Sequence, residues 1–162
     1  MKIIVLKDQI LLAKEKTENL IVDIPFEKWN ETPEIIKSNI NWQIGHIILA
    51  NYLHGVASIS GVDSEFSKKV KVPDYIKFYG PKSNPSDFEN EKPSAKKLLD
   101  AFQYICSATL RNLENISEID LDKDTEVPNP SVKNKYQALK LLSQHQSWHN
   151  GQIAILKRIL GK

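Results

Sequence analysis

The chain has 162 residues, 41% of them apolar and 26% charged, and its formal net charge is only +2. This composition suits one globular domain, residues 1–162, and the scattered basic residues argue against a nucleic-acid partner. No stretch approaches the ~20 apolar residues of a membrane span, and the apolar run at the N-terminus is too short for a signal peptide. Since the single cysteine, Cys106, cannot form an intrachain disulfide, we expect a cytoplasmic protein with no membrane partner.

The first part of the chain predicts two amphipathic helices. The first runs from Ile3 to Leu20, where apolar residues recur at three- and four-residue steps. The second runs from about Ser38, as N-cap, to Ile59. Its apolar stripe includes a histidine at a position where a leucine would be expected, and consists of Trp42, His46, Leu49, Leu53 and Val56.

A second histidine of this helix, His54, follows eight residues after His46. On a regular α-helix the two residues lie ~12 Å apart along the axis. With metal–nitrogen bonds of ~2.1 Å, two nitrogens on one ion lie only a few Å apart. His46 and His54 therefore cannot bind the same metal ion. We predict that His46, which is in register with the apolar stripe, is a metal ligand and that His54 is not. A position for His54 at the surface or at the rim of a pocket stays open.

The segment from Gly61 to Pro93 is predicted to be non-helical, because six of its residues are glycine or proline: Gly61, Pro73, Gly80, Pro81, Pro85 and Pro93. It also carries five aromatic residues, which a solvated linker would not need: Phe66, Tyr75, Phe78, Tyr79 and Phe88. Long loops within a domain are usually functional. The segment either caps the core or forms a lid over a pocket.

Two further helices are predicted in the second half of the chain, from Ser94, as N-cap, to Ile116 and from Tyr136 to Leu160. Cys106 lies near the apolar face of the third helix, and its neighbours offer no group that would stabilise a thiolate. It therefore reads as a small buried apolar residue. Four amphipathic stretches without a strand pattern predict an all-α fold, a four-helix bundle.

The fourth helix carries two histidines, His145 and His149, in its apolar stripe. They are four residues apart, so their side chains project from one face and can bind the same ion. Together with His46 they would form a site of three imidazoles with an open position, as catalytic rather than structural metal sites have. Zn, Ni and Fe all suit imidazole, and the sequence does not select among them.

Two other kinds of metal protein are excluded by particular residues. A di-iron bundle of the ferritin type needs Glu-x-x-His pairs, and none of the four histidines follows a glutamate at that spacing. A zinc peptidase with a His-Glu-x-x-His motif uses the glutamate as its base, and here Gln146 stands at that position.

Three motifs resemble the DinB family of metal-binding four-helix bundles. They are His145-Gln-Ser-Trp-His149-Asn-Gly151-Gln152, Trp42-Gln-Ile-Gly45-His46 and Phe78-Tyr-Gly80-Pro81-Lys-Ser83-Asn-Pro85. The resemblance spans nearly the whole chain. It implies an up-down-down-up bundle with a long crossover between the second and third helices, usually a homodimer. It also implies a metal-binding triad at His46, His145 and His149. Characterised members of the family include bacillithiol S-transferases, mycothiol-dependent isomerases and metal-dependent hydrolases.

These observations favour a metal-dependent enzyme, with a thiol S-transferase as the leading hypothesis. The ion would hold a low-molecular-weight thiol as its nucleophilic thiolate, which attacks a small electrophilic substrate. A hydrolase that activates water at the same site is an alternative, because the sequence identifies no general base. The third hypothesis is a non-catalytic bundle that binds a metal or a small molecule, which the lack of an acidic residue beside the histidines favours slightly.

Overall fold

The computed structural model describes residues 1–161, whose regular secondary structure is helical apart from one isolated β-bridge between Asp124 and Asn134. A π-helical segment, Tyr52–Ala57, connects α2 to α3, and two short 3-10 helices lie at Phe26–Lys28 and Asp120–Asp122. The α-helices are α1 (Lys2–Ile21), α2 (Ile40–Asn51), α3 (Ser58–Ser60), α4 (Ser64–Lys69), α5 (Val72–Tyr79), α6 (Ala95–Asn115) and α7 (Lys135–Leu160).

The first and last helices, α1 and α7, run in the same direction. Thr17 Oγ1 donates to Asn150 Oδ1 at 2.7 Å, and nearer the C-terminal ends of both helices Lys157 Nζ lies 3.3 Å from Asp23 Oδ2. Because the later residue of the first segment contacts the later residue of α7, the two helices are parallel. Since these ends of the chain are far apart in sequence, their pairing closes the bundle.

The second helix, α2, runs antiparallel to α7. Gln43 near its start donates to Gln152, whereas Asn51 at its end donates to Gln146, which lies earlier in α7. The third long helix, α6, runs parallel to α2. Asn41 donates to the carbonyl of Pro93 just before α6, and Asn112 near the end of α6 donates to the carbonyl of Gly55. The four long helices therefore have the predicted up-down-down-up arrangement.

The crossover between α2 and α6 is present as predicted, but the prediction that Gly61 to Pro93 is non-helical is wrong. The segment contains α4 and α5. Pro73 lies in the first turn of α5, where a proline costs no helical hydrogen bond. Three aromatic side chains of α5 are buried in the main apolar cluster: Tyr75, Phe78 and Tyr79. The segment therefore caps the core.

The start of α2 differs from the prediction by one residue. Its N-cap is Asn39, whose side chain accepts a hydrogen bond of 2.8 Å from the backbone N–H of Trp42. Ser38 instead accepts from the side chain of Gln43. The predicted N-cap of α6, Ser94, is confirmed, since its hydroxyl accepts from the N–H of Lys97.

Helix α2 is buried around most of its circumference. The residues predicted as its core stripe include Trp42 and Leu49, which are only half-buried. Four isoleucines on other faces are fully buried: Ile40, Ile44, Ile47 and Ile48. The predicted stripe therefore marks the face with His46, while the isoleucines supply most of the apolar contact.

Candidate metal centre

The structure brings His46, His145 and His149 together between α2 and α7. The Nε2 atoms of His46 and His145 are 3.1 Å apart, and one ring nitrogen from each of the three histidines lies within 4.8 Å of the others. His46 and His149 are each 8% exposed, and His145 is partly exposed. No cysteine, aspartate or glutamate joins this cluster within residues 1–161.

His46 is oriented by the end of α5. Its Nδ1–H donates a hydrogen bond of 2.6 Å to the backbone carbonyl of Tyr79, which leaves Nε2 with its lone pair facing the cluster. Gly45 makes this contact possible, because a Cβ there would lie 2.4 Å from the Tyr79 ring. Asn41 accepts a hydrogen bond from the Tyr79 hydroxyl, so the tyrosine is held at both ends.

His149 is oriented by a side chain of α2. Its Nδ1–H donates to Oε1 of Gln43 at 2.6 Å, and this bond also leaves Nε2 free. Gln43 has no exposed surface, and its amide group donates to Ser38 Oγ at 2.8 Å and to Gln152 Oε1 at 2.6 Å. All hydrogen-bonding groups of the Gln43 side chain are thus in use.

The third histidine, His145, presents Nε2 to His46, while its Nδ1 is buried and has no hydrogen-bond partner among residues 1–161. Burial lowers the pKa of His145 to about 3, with further lowering by the nearby His149, His46 and His54. Burial also lowers the pKa of His149 to about 4 and moves that of His46 downward. All three rings are therefore neutral at pH 7, which is the form that binds metals.

The distance between the Nε2 atoms of His46 and His145 fits two ligands of one divalent ion. Two nitrogens that bind one ion at ~2.1 Å in tetrahedral or octahedral geometry lie ~3.0–3.4 Å apart, close to the separation of the His46 and His145 nitrogens. The donor set is three neutral imidazoles, which suits Zn, Ni or Fe. The cluster could therefore hold a metal ion.

Two tryptophans flank the three histidines. Trp42 stacks on His46 with ring centroids 4.8 Å apart and an interplanar angle of 8°, and its Nε1–H donates to Ser83 Oγ at 2.8 Å. Trp148 is 63% exposed, and its ring centroid lies 6.3 Å from that of His145. Aromatic surface thus lies directly beside the histidines.

His54 lies outside this cluster, and it is neither a surface nor a rim residue. It is 5% exposed, within the π-helical segment, and its Nδ1 accepts a hydrogen bond of 2.9 Å from Asn129. The distance argument from the sequence assumed a regular α-helix, whereas the π-helical turn changes the face on which His54 lies. Cys106 is buried as predicted, and burial raises the pKa of its thiol to about 12.

The residues that orient His46 and His149 were not predicted. Gln43 precedes His46 by three residues, where a di-iron site would have a glutamate, and its own role as a hydrogen-bond partner of His149 was not predicted. A glutamine one turn before a histidine in a buried helix is the signal that could have drawn attention to it. Tyr79 acts through its backbone carbonyl, so its side-chain type carries no signal for this contact.

No helix of the described part of the chain, residues 1–161, is both long and apolar enough to cross a membrane.

Comparisons with known proteins agree with this architecture. A solved structure, described as a conserved protein from Enterococcus faecalis, superposes with a TM-score of 0.74, at 17% sequence identity, over 98% of this chain and 96% of that chain. At this identity the similarity shows the fold alone. Curated protein sequences gave no match. The family profile described as the DinB superfamily matches residues 9–153, and this chain therefore belongs to the DinB superfamily.

Proposed function

We propose that this protein is a metal-dependent thiol S-transferase that acts on small electrophiles, with a divalent ion held by His46, His145 and His149. The observation that carries the proposal is the convergence of one nitrogen from each histidine within 4.8 Å, without a carboxylate in the cluster. The neutral rings of the three histidines can bind an ion without losing a proton first.

The absence of a carboxylate from the cluster favours a thiol over water as the nucleophile. A bound divalent ion would lower the pKa of a small thiol and maintain the nucleophilic thiolate. Hydrolysis usually benefits from a general base, and the groups that accept hydrogen bonds from Nδ1 of His46 and His149 are the carbonyl of Tyr79 and the carboxamide of Gln43. Neither group takes up a proton at neutral pH.

Trp42 and Trp148 supply surface for an apolar or aromatic electrophile beside the three histidines. In the proposed reaction the sulfur forms a new bond to the electrophilic carbon. The displaced group leaves with the bonding electrons, as chloride does from monochlorobimane. The thiol proton is released to solvent.

The first experiment measures the metal content of untagged protein by elemental analysis. We expect close to one divalent ion per chain, and the loss of this ion in His149→Ala. His54→Gln is the matched control, because His54 is a buried histidine of the same bundle that lies outside the cluster. Full occupancy in His149→Ala, or equal loss in His54→Gln, would contradict the assignment of the ligands.

The second experiment tests the reaction. Metal-loaded protein is incubated with monochlorobimane and bacillithiol, glutathione or cysteine. We expect conjugate formation above the uncatalysed rate, and its disappearance in His145→Ala. If only esters or amides are turned over, the hydrolase hypothesis replaces this one. If the fully metallated protein turns over neither class, the binding-module hypothesis is the better one.

We also propose that the protein forms a homodimer, as the resemblance to the family implies. Exposed apolar side chains on α1 and α7 support this proposal, since exposed apolar surface is often an interaction surface: Val5, Leu12, Trp148 and Ile155. Sedimentation equilibrium should give twice the chain mass of 18.5 kDa. A monomer at all concentrations tested would contradict the proposal.

A further inference from the structure

We propose that Gln43 is a positioning residue of the metal centre, which fixes the ligand His149 and leaves the positive charge of the bound ion uncompensated. The inference rests on the proposed metal site. It goes further by assigning a task to a residue that is not a ligand, and by stating which class of additional ligand the site favours.

The position of Gln43 is determined by three short hydrogen bonds. Its oxygen accepts from Nδ1 of His149 at 2.6 Å, and its amide group donates to Ser38 and Gln152 at 2.8 and 2.6 Å. In this orientation both N–H groups point away from His149, so only the carbonyl oxygen faces the ring. The proton of His149 is thereby held on Nδ1, and the lone pair on Nε2 is presented to the cluster.

A role as filler of the core does not account for this arrangement. Gln43 has no exposed surface, and a buried carboxamide is costly unless its polar groups are paired. An apolar side chain of similar size would avoid that cost. The three partners lie on α7 and at the start of α2, so the carboxamide links the helix that carries His46 to the helix that carries His145 and His149.

The neutral charge of Gln43 has a consequence for ligands from solution. Histidines that bind metals often donate to a carboxylate, which offsets part of the charge of the ion. Here His149 donates to a carboxamide and His46 donates to a backbone carbonyl. With three neutral ligands and two neutral partners, a bound divalent ion together with these groups would have a net charge of +2. The site therefore favours an anion, such as a thiolate, as an additional ligand.

The test uses full-length protein loaded with Co²⁺, whose visible absorption reports both metal binding and the entry of an anion. Three variants are compared with the wild type. Gln43→Leu keeps the approximate size but removes the acceptor. Gln43→Glu keeps an acceptor and adds a negative charge. Gln9→Leu, at an exposed glutamine of α1, is the matched control. Far-UV circular dichroism of the metal-free proteins verifies that each variant is folded.

We expect Gln43→Leu to bind Co²⁺ about 10–100-fold more weakly than the wild type, as loss of such a partner usually causes. Gln43→Glu should bind Co²⁺ at least as tightly as the wild type, but its affinity for thiocyanate should fall severalfold. This opposite behaviour of metal and anion affinity in one variant is not expected if Gln43 only supports the fold.

Other results of these measurements would overturn different parts of the proposal. Equal Co²⁺ affinity in the wild type and Gln43→Leu would overturn the positioning role while the metal site stands. Gln43→Glu that binds Co²⁺ as weakly as Gln43→Leu would also overturn it, since the acceptor would then not matter. Unchanged thiocyanate affinity in Gln43→Glu would overturn the effect of charge. A wild-type protein that binds no divalent ion would overturn the proposed function itself.

Discussion

The backbone carbonyl of Tyr79 accepts a hydrogen bond of 2.6 Å from Nδ1 of His46, 33 residues earlier in the chain. The bond joins the end of α5 to α2 and sets the orientation of one proposed ligand. The crossover between α2 and α6 therefore contributes to the geometry of the site, although none of its residues belongs to the histidine cluster.

The first prediction concerns Gly45, against which the Tyr79 ring packs. In Gly45→Ala the new Cβ would lie within 2.5 Å of three atoms of that ring, which is fully buried. Either the ring or α2 must move, and the carbonyl that holds His46 moves with the tyrosine. We expect the free energy of unfolding to fall by about 1–3 kcal/mol and metal affinity to fall with it. Urea denaturation and a metal-binding titration measure the two effects.

Gly151→Ala is the control for this prediction. Gly151 is an exposed residue of α7, between His149 and Gln152, and a Cβ there would meet no atom within 4 Å. Since alanine favours helices, this variant should gain up to about 1 kcal/mol and retain metal binding. Equal stability of the two variants would show that the contact between Gly45 and Tyr79 is not tight.

The sequence predicted the parts of the site that depend on local periodicity. His145 and His149 share a face because they are four residues apart in one helix, and the stripe of α7 is buried from Ala138 to Leu160 almost as predicted. His46 was identified because it stands in register with apolar neighbours. These inferences need only the geometry of a single helix.

The parts that failed depend on packing between distant segments. α5 begins with Pro73 in its first turn and is stabilised by burial of its aromatic side chains. In the sequence, the glycine and proline residues of this segment predicted a loop instead. The π-helical segment Tyr52–Ala57 interrupts an apolar pattern that continues as if the helix were regular. Because neither feature is encoded in a short window, the burial of His54 and its bond to Asn129 could not be predicted.

The second prediction concerns removal of the metal. An ion that binds the folded protein but not the unfolded chain stabilises the fold by about 2.7 kcal/mol at a free concentration 100 times Kd. Dialysis against a chelator should therefore lower the Tm, and one equivalent of Zn²⁺ should restore it. In His149→Ala the Tm should not respond to Zn²⁺. A Tm of the wild type that is independent of Zn²⁺ would contradict the prediction.

The third prediction concerns a buried polar network between α1 and α7. The hydroxyl of Thr17 accepts a hydrogen bond from Gln146 Nε2 at 2.7 Å and donates one to Asn150 Oδ1 at 2.7 Å. Thr17→Val would leave both buried amides without this partner. We expect a loss of about 2–4 kcal/mol in the free energy of unfolding, measured by urea denaturation.

Thr109→Val is the matched control for this third prediction. Thr109 is as deeply buried as Thr17, but its hydroxyl bonds only to the carbonyl of Ile105 in its own helix. That carbonyl keeps its helical hydrogen bond after the substitution, so the loss should be smaller than in Thr17→Val. An equal loss in both variants would mean that the network between the helices adds nothing to the effect of burial.

A buried histidine outside the cluster, His54, connects the π-helical segment to the loop before α7. Asn129 donates to Nδ1 of His54 at 2.9 Å and to the hydroxyl of Ser58 at 3.0 Å. A protonated His54 could not accept the bond from Asn129. Burial lowers the pKa of His54 to about 4, well below its ordinary value of 6.5.

The last prediction follows from this pKa. Below pH ~6.5 the unfolded chain binds a proton at His54, whereas the folded protein binds it only near pH ~4. Stability contributed by neutral His54 is therefore complete above pH ~6.5 and is lost as the pH falls, by about 2 kcal/mol at pH ~5. His145 and His149 titrate in the same range, so metal-free His54→Gln is the reference that isolates His54. Urea denaturation at pH ~7.5 and ~5 should show a smaller decrease in the variant than in the metal-free wild type. Equal decreases would show that His54 has an ordinary pKa in the folded protein.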